Sequence, residues 1–367
     1  MWIQDLAIHN FRNFERANLR CGSFWNVLFG KNAQGKTNIL EAIYFLLTLR
    51  SFRTKNTCDL LRKGSDSFAI RAVILHSNVP YNLRAGYEGG KKRLFLNEES
   101  LFNLEKVIGV FPVVVVTGEN IDFVKQPPLM LRRFLDSQLS QSIPEYLRVL
   151  LQYEKVLRFR NLILKQEKPS SKTQLKVWTE KLVQLGARIL DWRRNAVKRL
   201  GIFARLNLKK ISGRKGELEV RYLSEVSGAG EKEIINDYER KLAESALLEK
   251  KRGFTLIGPH RDSIGFYING TAANKVASAG ERKSIGFAMK MAEADNIKSF
   301  CNTEPVMLID EVVNEIDIYR RKNLYSLMPK KRQVFFATFE YEVLKEITKS
   351  VCETKVFRIN EGKCSLL

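Results

Sequence analysis

The sequence predicts an α/β fold with an antiparallel β part and an inserted helical arm. Three observations predict it. An apolar strand, a glycine-rich loop and a helix follow one another within residues 24–49. A second apolar run, residues 306–311, ends in two carboxylates (Val-Met-Leu-Ile-Asp-Glu). Between them, residues 125–215 have helical periodicity and carry 22 basic against 6 acidic residues.

Taken in chain order, residues 2–9 and 14–20 read as short strands and residues 24–29 (FWNVLF) as an apolar strand, followed by a helix over 36–49. Alternating segments at 67–76, 81–88 and 92–97 predict an antiparallel meander, with Gly89-Gly90 as a hairpin turn. Residues 110–116 suit a buried strand, and Pro112 points to a sheet edge or bulge. Residues 144–166 and 173–200 are helical and are broken by Lys168-Pro-Ser-Ser171, which predicts a helical hairpin; its second helix would reach about 40 Å at ~1.5 Å per residue. A third helix covers 231–250. Strands are expected at 253–257, 264–268, 306–310, 333–338 and 355–359, with Asn269-Gly270 as a turn and helices at 279–300 and 316–327. The expected organisation is therefore an N-terminal part at 1–124, a basic helical insertion at 125–252 and a C-terminal part at 253–367.

Of the 367 residues, 62 are Lys or Arg and 40 Asp or Glu, a net charge of +22, and residues 125–215 alone hold +16. Charge so concentrated is the electrostatic footprint of a polyanion binder. The apolar content of 44% excludes a disordered polyelectrolyte. No apolar stretch is long enough to span a bilayer, and no export signal opens the chain. The five cysteines are scattered, with no CxxC, which fits a reducing compartment and argues against a disulfide frame or a zinc site. These features lead to the expectation of a cytoplasmic protein without a membrane partner.

Residues 30–37 read Gly-Lys-Asn-Ala-Gln-Gly-Lys-Thr, the GxxxxGK[ST] spacing between strand and helix. Gly30 and Gly35 let the backbone turn its N–H groups inward, and the helix N-terminus adds its positive dipole end. The loop residues Lys31, Asn32, Ala33 and Gln34 would contribute main-chain donors. The Lys36 ammonium reaches β- and γ-phosphates, and the Thr37 hydroxyl suits Mg²⁺. Asp310 would hold the same Mg²⁺, and Glu311 would hold the attacking water; without the loop these two acids would be a weak signal. Ser278-Ala-Gly-Glu281 reads as a capping box, or as a helix N-terminus aimed at a γ-phosphate held by another subunit. His260 reads as a packed or loop-bonded histidine ahead of a catalyst, Arg132 and Arg133 as arm-surface charges ahead of nucleotide sensors, and Trp178 and Trp192 as core anchors ahead of base-stacking platforms.

Together HNFRNF (9–14), GKNAQGKTN (30–38), KQPPLMLRRFLD (125–136), GPHRD (258–262), SAGER (278–282) and MLIDEVVNEID (307–317) make the chain resemble, from end to end, the ABC-type head ATPases of the structural-maintenance class. The 274 residues from Lys36 to Asp310 imply an insertion too short for the long coiled coils of that class and suited to a short arm. The resemblance implies an ABC-type P-loop head. It implies that Gly30 to Thr37 wrap ATP, with Arg12 at the triphosphate or base. Lys36, Asp310 and Glu311 would be catalytic, with Thr37 and Asp310 at the metal. Ser278, Gly280 and Asp317 would act across a homodimer. It further implies that the ATP-bound dimer clamps duplex or gapped DNA, hydrolyses ATP weakly, and helps load RecA at single-strand gaps with RecO and RecR. A transporter-type nucleotide-binding subunit shares the nucleotide motifs but leaves the basic middle unexplained.

Overall fold

The structure is a computed structural model that describes residues 1–101, 107, 109–166, 171–213, 217–312, 318–328, 332–350 and 353–367, with backbone only at 171 and 172. Its chain forms two compact units. The first comprises Met1–Phe123, Leu206–Lys215 and Ser278–Leu367, the second Val124–Arg205 and Gly216–Ala277.

In the first unit, strands β1 (Trp2–Phe11), β2 (Phe14–Arg20), β4 (Phe68–His76), β5 (Val79–Glu88), β6 (Lys91–Leu96) and β7 (Glu99–Leu101) make an antiparallel sheet of order β2-β1-β4-β5-β6-β7. The expected meander is there, and Gly89 and Gly90, at φ 57° and 77°, make the tight turn between β5 and β6. A second sheet has the order β15-β14-β3-β13-β12-β8, from β3 (Trp25–Phe29), β8 (Val113–Thr117), β12 (Val306–Asp310), β13 (Val334–Thr338), β14 (Thr354–Asn360) and β15 (Lys363–Leu366). Neighbouring strands from β14 to β8 are parallel. Pro112 sits just before β8, the edge strand, where its missing N–H interrupts no ladder and its carbonyl accepts from Val306 N.

Helix α1 (Lys36–Thr48) is buried between the two sheets. Ile39, Ile43 and Phe45 pack with Ile70 and Ala72 of one sheet and with Leu28, Leu308 and Phe335 of the other. The alternate residues Val27, Met307, Ile309 and Phe336 point to the opposite face, against α8 (Ala279–Cys301), α9 (Ile318–Leu327) and α10 (Tyr341–Ser350). These short strands are apolar on both faces because both are covered. Full burial of each such side chain is worth about 1.5–3 kcal/mol. A one-turn helix, α2 (Gly118–Ile121), follows β8.

The second unit contains α3 (Pro128–Ser142), α4 (Pro144–Leu164), most of α5 (Ser171–Ser212), α6 (Glu231–Arg252), α7 (Ala273–Val276) and a small sheet of order β11-β10-β9. Its strands are β9 (Leu218–Leu223), β10 (Ser263–Ile268) and β11 (Thr271–Ala272), and Asn269-Gly270 turns β10 into β11.

Several expectations are corrected. Residues 253–277 belong to the second unit and not to the C-terminal part of the first, because β10 pairs along its length with β9. Residues 206–215 belong to the first unit and not to the insertion. No strand forms at 253–257. There the backbone N–H groups are taken by side chains, Thr255 N by Asn161 Oδ1 at 2.8 Å and Leu256 N by Glu249 Oε1 at 2.8 Å. Helix α5 has 42 residues, about 63 Å at ~1.5 Å per residue: it runs through Gly201, whose nearest neighbour would stand 3.6 Å from an added Cβ, meets no proline, and ends before Gly213, which takes φ +63°. Arg132 is half-buried, its Nη1 donating to Asp262 O at 2.7 Å, whereas Arg133 is exposed.

Candidate nucleotide-binding site

The loop at 30–37 owes its path to two close approaches. A side chain at Gly30 would place its Cβ 2.3 Å from Ile359 O on β14. Gly35 has φ +116°, and a Cβ there would lie 2.8 Å from both the Asn13 amide and the Phe14 ring. The β1–β2 turn thus forms the floor of the loop, which explains HNFRNF in physical terms. Asn13 Nδ2 donates to Gln34 O at 2.9 Å, and Asn38 Nδ2 donates to Asn13 Oδ1 at 2.8 Å. On its far side Gln34 Oε1 accepts from Glu361 N at 2.7 Å, so Gln34 tethers the loop.

The loop opens onto a cavity of about 360 Å³ whose lining includes Asn32, Ala33, Gly35, Lys36, Thr37 and Glu311. The Lys36 ammonium, buried on three sides, donates to Gly30 O and Lys31 O at 2.8 Å each and pairs with Glu311 Oε1 at 2.8 Å. Thr37 Oγ1 lies 2.9 and 3.0 Å from the two carboxyl oxygens of Asp310. Strand β12 therefore delivers both of its terminal acids to the start of α1, across 273 residues of sequence. Desolvation is the main cause that pushes the Asp310 carboxyl up to about 6; the charge of Glu311 adds to it, and the Thr37 bond opposes it. Glu311 adopts φ 50°, an uncommon left-handed conformation for a glutamate, as the chain leaves the strand.

A hydroxyl and a half-desolvated carboxylate side by side are a hard-oxygen pair that suits Mg²⁺. The ammonium, the inward loop and the α1 N-terminus suit a polyphosphate. The residues present fit both groups.

The structure separates the remaining expected residues. Arg12 is not among the residues lining the cavity: its Nε and Nη2 grip the fully buried Glu41 at 2.8 and 2.9 Å, and its Nη1 donates to Asp59 O. Ser278 caps α8, accepting from Glu281 N at 3.3 Å while Glu281 Oε2 accepts from Ser278 N at 2.9 Å, so the capping box forms. Ser278 is exposed, and neither it nor Gly280 lines the cavity. Asp317 lies outside the described residues. Two participants were missed by the sequence reading. Arg53 lines the cavity and donates to Asn38 Oδ1 at 2.9 Å. Glu41 ties Arg12, Arg53 and Ser51 together. A charged residue at 41 inside an otherwise apolar helix was the available signal.

His260 is packed, as read. Its Nδ1 faces Tyr153 Oη at 2.7 Å and its Nε2 donates to Thr255 O at 3.1 Å; burial holds its pKa down at about 4.

Fold and site together define a P-loop ATPase head of the ABC type. The sequence profile of the RecF/RecN/SMC N-terminal domain family matches residues 2–361. The DNA replication and repair protein RecF of Geotalea uraniireducens is 31% identical over 366 residues, covering 99% of each chain. That of Bacillus cereus is 36% identical over 358 residues, covering 94% of this chain and 95% of the relative. A solved structure of the recombination mediator RecF with ATP superposes with a TM-score of 0.89 at 29% identity, covering 100% of this chain and 97% of that one. An Smc head domain from Pyrococcus furiosus shares the fold, with a TM-score of 0.57 at 15% identity, covering 100% of this chain and 96% of that one. The chain belongs to the RecF family.

Proposed function

We propose that the protein is an ATP-binding protein of DNA replication and recombinational repair. In this reading its ATP-bound homodimer clamps duplex or gapped DNA and hydrolyses ATP slowly. The observation that carries the reading is the convergence of Lys36 with Glu311 and of Thr37 with Asp310 at one loop mouth. The near full-length likeness to RecF supplies the DNA context.

Gly30 to Thr37 then wrap the triphosphate, and Lys36 neutralises its β- and γ-oxygens. Thr37 and Asp310 hold Mg²⁺, which supplies Lewis-acid stabilisation of the departing phosphate charge. Phosphate oxygens compete with Glu311 for Lys36, and Glu311, once released, orients and deprotonates water. Ser278 and Gly280, on an exposed and capped helix start, face the partner's nucleotide, with Asp317 at the same junction. Hydrolysis opens the dimer. RecO, RecR and, indirectly, RecA are the expected partners, since the solved relatives are described as belonging to the RecFOR pathway. The transporter alternative is not favoured by the near full-length match to repair proteins.

Analytical ultracentrifugation of the wild type and of Glu311→Gln with Mg-ATP and duplex DNA tests this. The expected result is a dimer only with ATP, which persists longer in Glu311→Gln, whose hydrolysis slows about 10²–10⁴-fold. A monomer at full ATP occupancy, with DNA present, overturns it.

A further inference from the structure

A second cavity, of about 210 Å³, lies in the first unit where α1 ends. The segment from Arg50 to Thr57 forms one wall, and Lys92 of β6 forms the other. Three cations, Arg50, Lys55 and Lys92, line it, and no carboxylate does. Among the described residues none of the three has an ion-pair partner.

Lys92 donates one hydrogen bond, to Leu49 O at 2.8 Å, and its ammonium stands 5.8 Å from the Phe45 ring centroid. Burial, and after it the charge of Arg50, lowers its pKa from the usual lysine value. Capping the C-terminal end of α1 accounts for that single bond. It does not account for Arg50 and Lys55 converging on the same space. Like charges brought together without a counter-ion repel one another, and an anion between them removes that cost.

The nearby acid, Asp59, is already engaged: it accepts from Thr54 Oγ1 at 2.5 Å and from Asn56 Nδ2 at 3.0 Å. Those bonds fix the loop and leave the cations uncompensated. The cavity is small enough for one phosphate group. Lys91 and Arg93, on either side of Lys92 in β6, are exposed on the opposite face of the strand, where Arg93 pairs with Glu88 at 3.3 Å, so the charge that suits a phosphate is that of the three cations lining the cavity.

We infer that the cavity bounded by Arg50, Lys55 and Lys92 binds a backbone phosphate of nucleic acid. It would be a DNA contact in the first unit, separate from the charge-rich residues 125–205. The inference rests on the reading of the protein as a DNA binder and adds the place of one contact.

The test is equilibrium DNA binding with ATP present, over a range of salt, for wild type, Arg50→Gln/Lys92→Gln and, as a control losing equal charge, Arg358→Gln/Lys363→Gln. ATP binding is measured alongside by nucleotide titration. Loss of one phosphate contact lowers the salt slope by about 0.9 and the affinity roughly 5-fold at about 0.15 M salt. The control should lose far less, ATP affinity should hold in both variants, and Lys92→Arg should bind like the wild type. An unchanged slope in the cavity variant overturns the inference while leaving the DNA-binding reading intact. Equal loss in the control overturns it as well, as does displacement of DNA by inorganic phosphate beyond that by chloride at matched ionic strength, which would assign the cavity to a free anion. A wild type that binds no DNA with ATP sinks the underlying reading and this inference with it.

Discussion

The two units each hold a cluster of charged side chains, and the clusters are built on opposite rules. In the first unit Lys36 is held by two carbonyls and by Glu311, whose side chain is 31% exposed at the cavity mouth. In the second, Arg160 is 4% exposed and Glu249 not at all. Arg160 donates to Thr179 Oγ1, Thr255 Oγ1 and Glu249 Oε2, at 2.7–2.9 Å. Beside it, Arg193 reaches Asp136 Oδ1 and Pro259 O at 2.6 Å each and Tyr146 Oη at 3.0 Å. A ligand can replace Glu311 on Lys36, whereas nothing can reach Arg160. The comparison teaches that a charge-rich motif is a site only where one partner is exchangeable. GPHRD has the look of a reactive motif, yet its His260 and Asp262 are held by Tyr153 and Tyr222 in a closed network.

Three variants sharpen the contrast. The largest effect is expected of Lys36→Met, which removes the ammonium at the loop: hydrolysis should fall about 10²–10³-fold or more. Its urea unfolding midpoint should move little; a large drop in stability would make Lys36 structural. Arg160→Met should do the reverse. Leaving Glu249 buried without its partner costs about 3–5 kcal/mol, read as a lower unfolding midpoint, with ATP affinity held in the folded fraction. Near-wild-type stability would refute the closed network. The smallest effect concerns pH. With a folded-state pKa of about 4, below its ordinary 6.5, His260 contributes stability that is complete above about 6.5 and is lost as the pH falls towards 4. Desolvation raises Asp262 to about 6, so its contribution runs the other way, but it is common to both proteins in a comparison with His260→Asn. The stability gap between wild type and His260→Asn should narrow from pH 7 to pH 5; a constant gap would mean that the imidazole titrates normally.

The nucleotide loop was legible because its chemistry demands fixed spacing, and β12 because four apolar residues, Val306 to Ile309, precede Asp310 and Glu311. The roles of Arg53 and Glu41 were not, since both depend on where the chain turns after α1. The resemblance set Arg12 at the triphosphate or base; what the sequence did not show is that its guanidinium pairs with Glu41, a partner 29 residues away. Strand β9 was missed because its partner β10 lies beyond the whole of α6, and the strand expected at 253–257 failed because Asn161 and Glu249 satisfy that backbone from α4 and α6. The +16 of residues 125–215 also overstates the charge offered to a polyanion, because Arg160 and Arg193 are buried.

Strand β3 pairs Trp25 with Val334 on one side and with Thr354 on the other. During synthesis at about 5–20 residues per second, WNVLF therefore waits on the order of 15–60 s after leaving the ribosome for its neighbours to exist. Throughout that interval an apolar segment with two unpaired edges is available to chaperones or to other nascent chains. That exposure ends before any nucleotide can stabilise the finished sheet, since β13 and β14 must pair with β3 first.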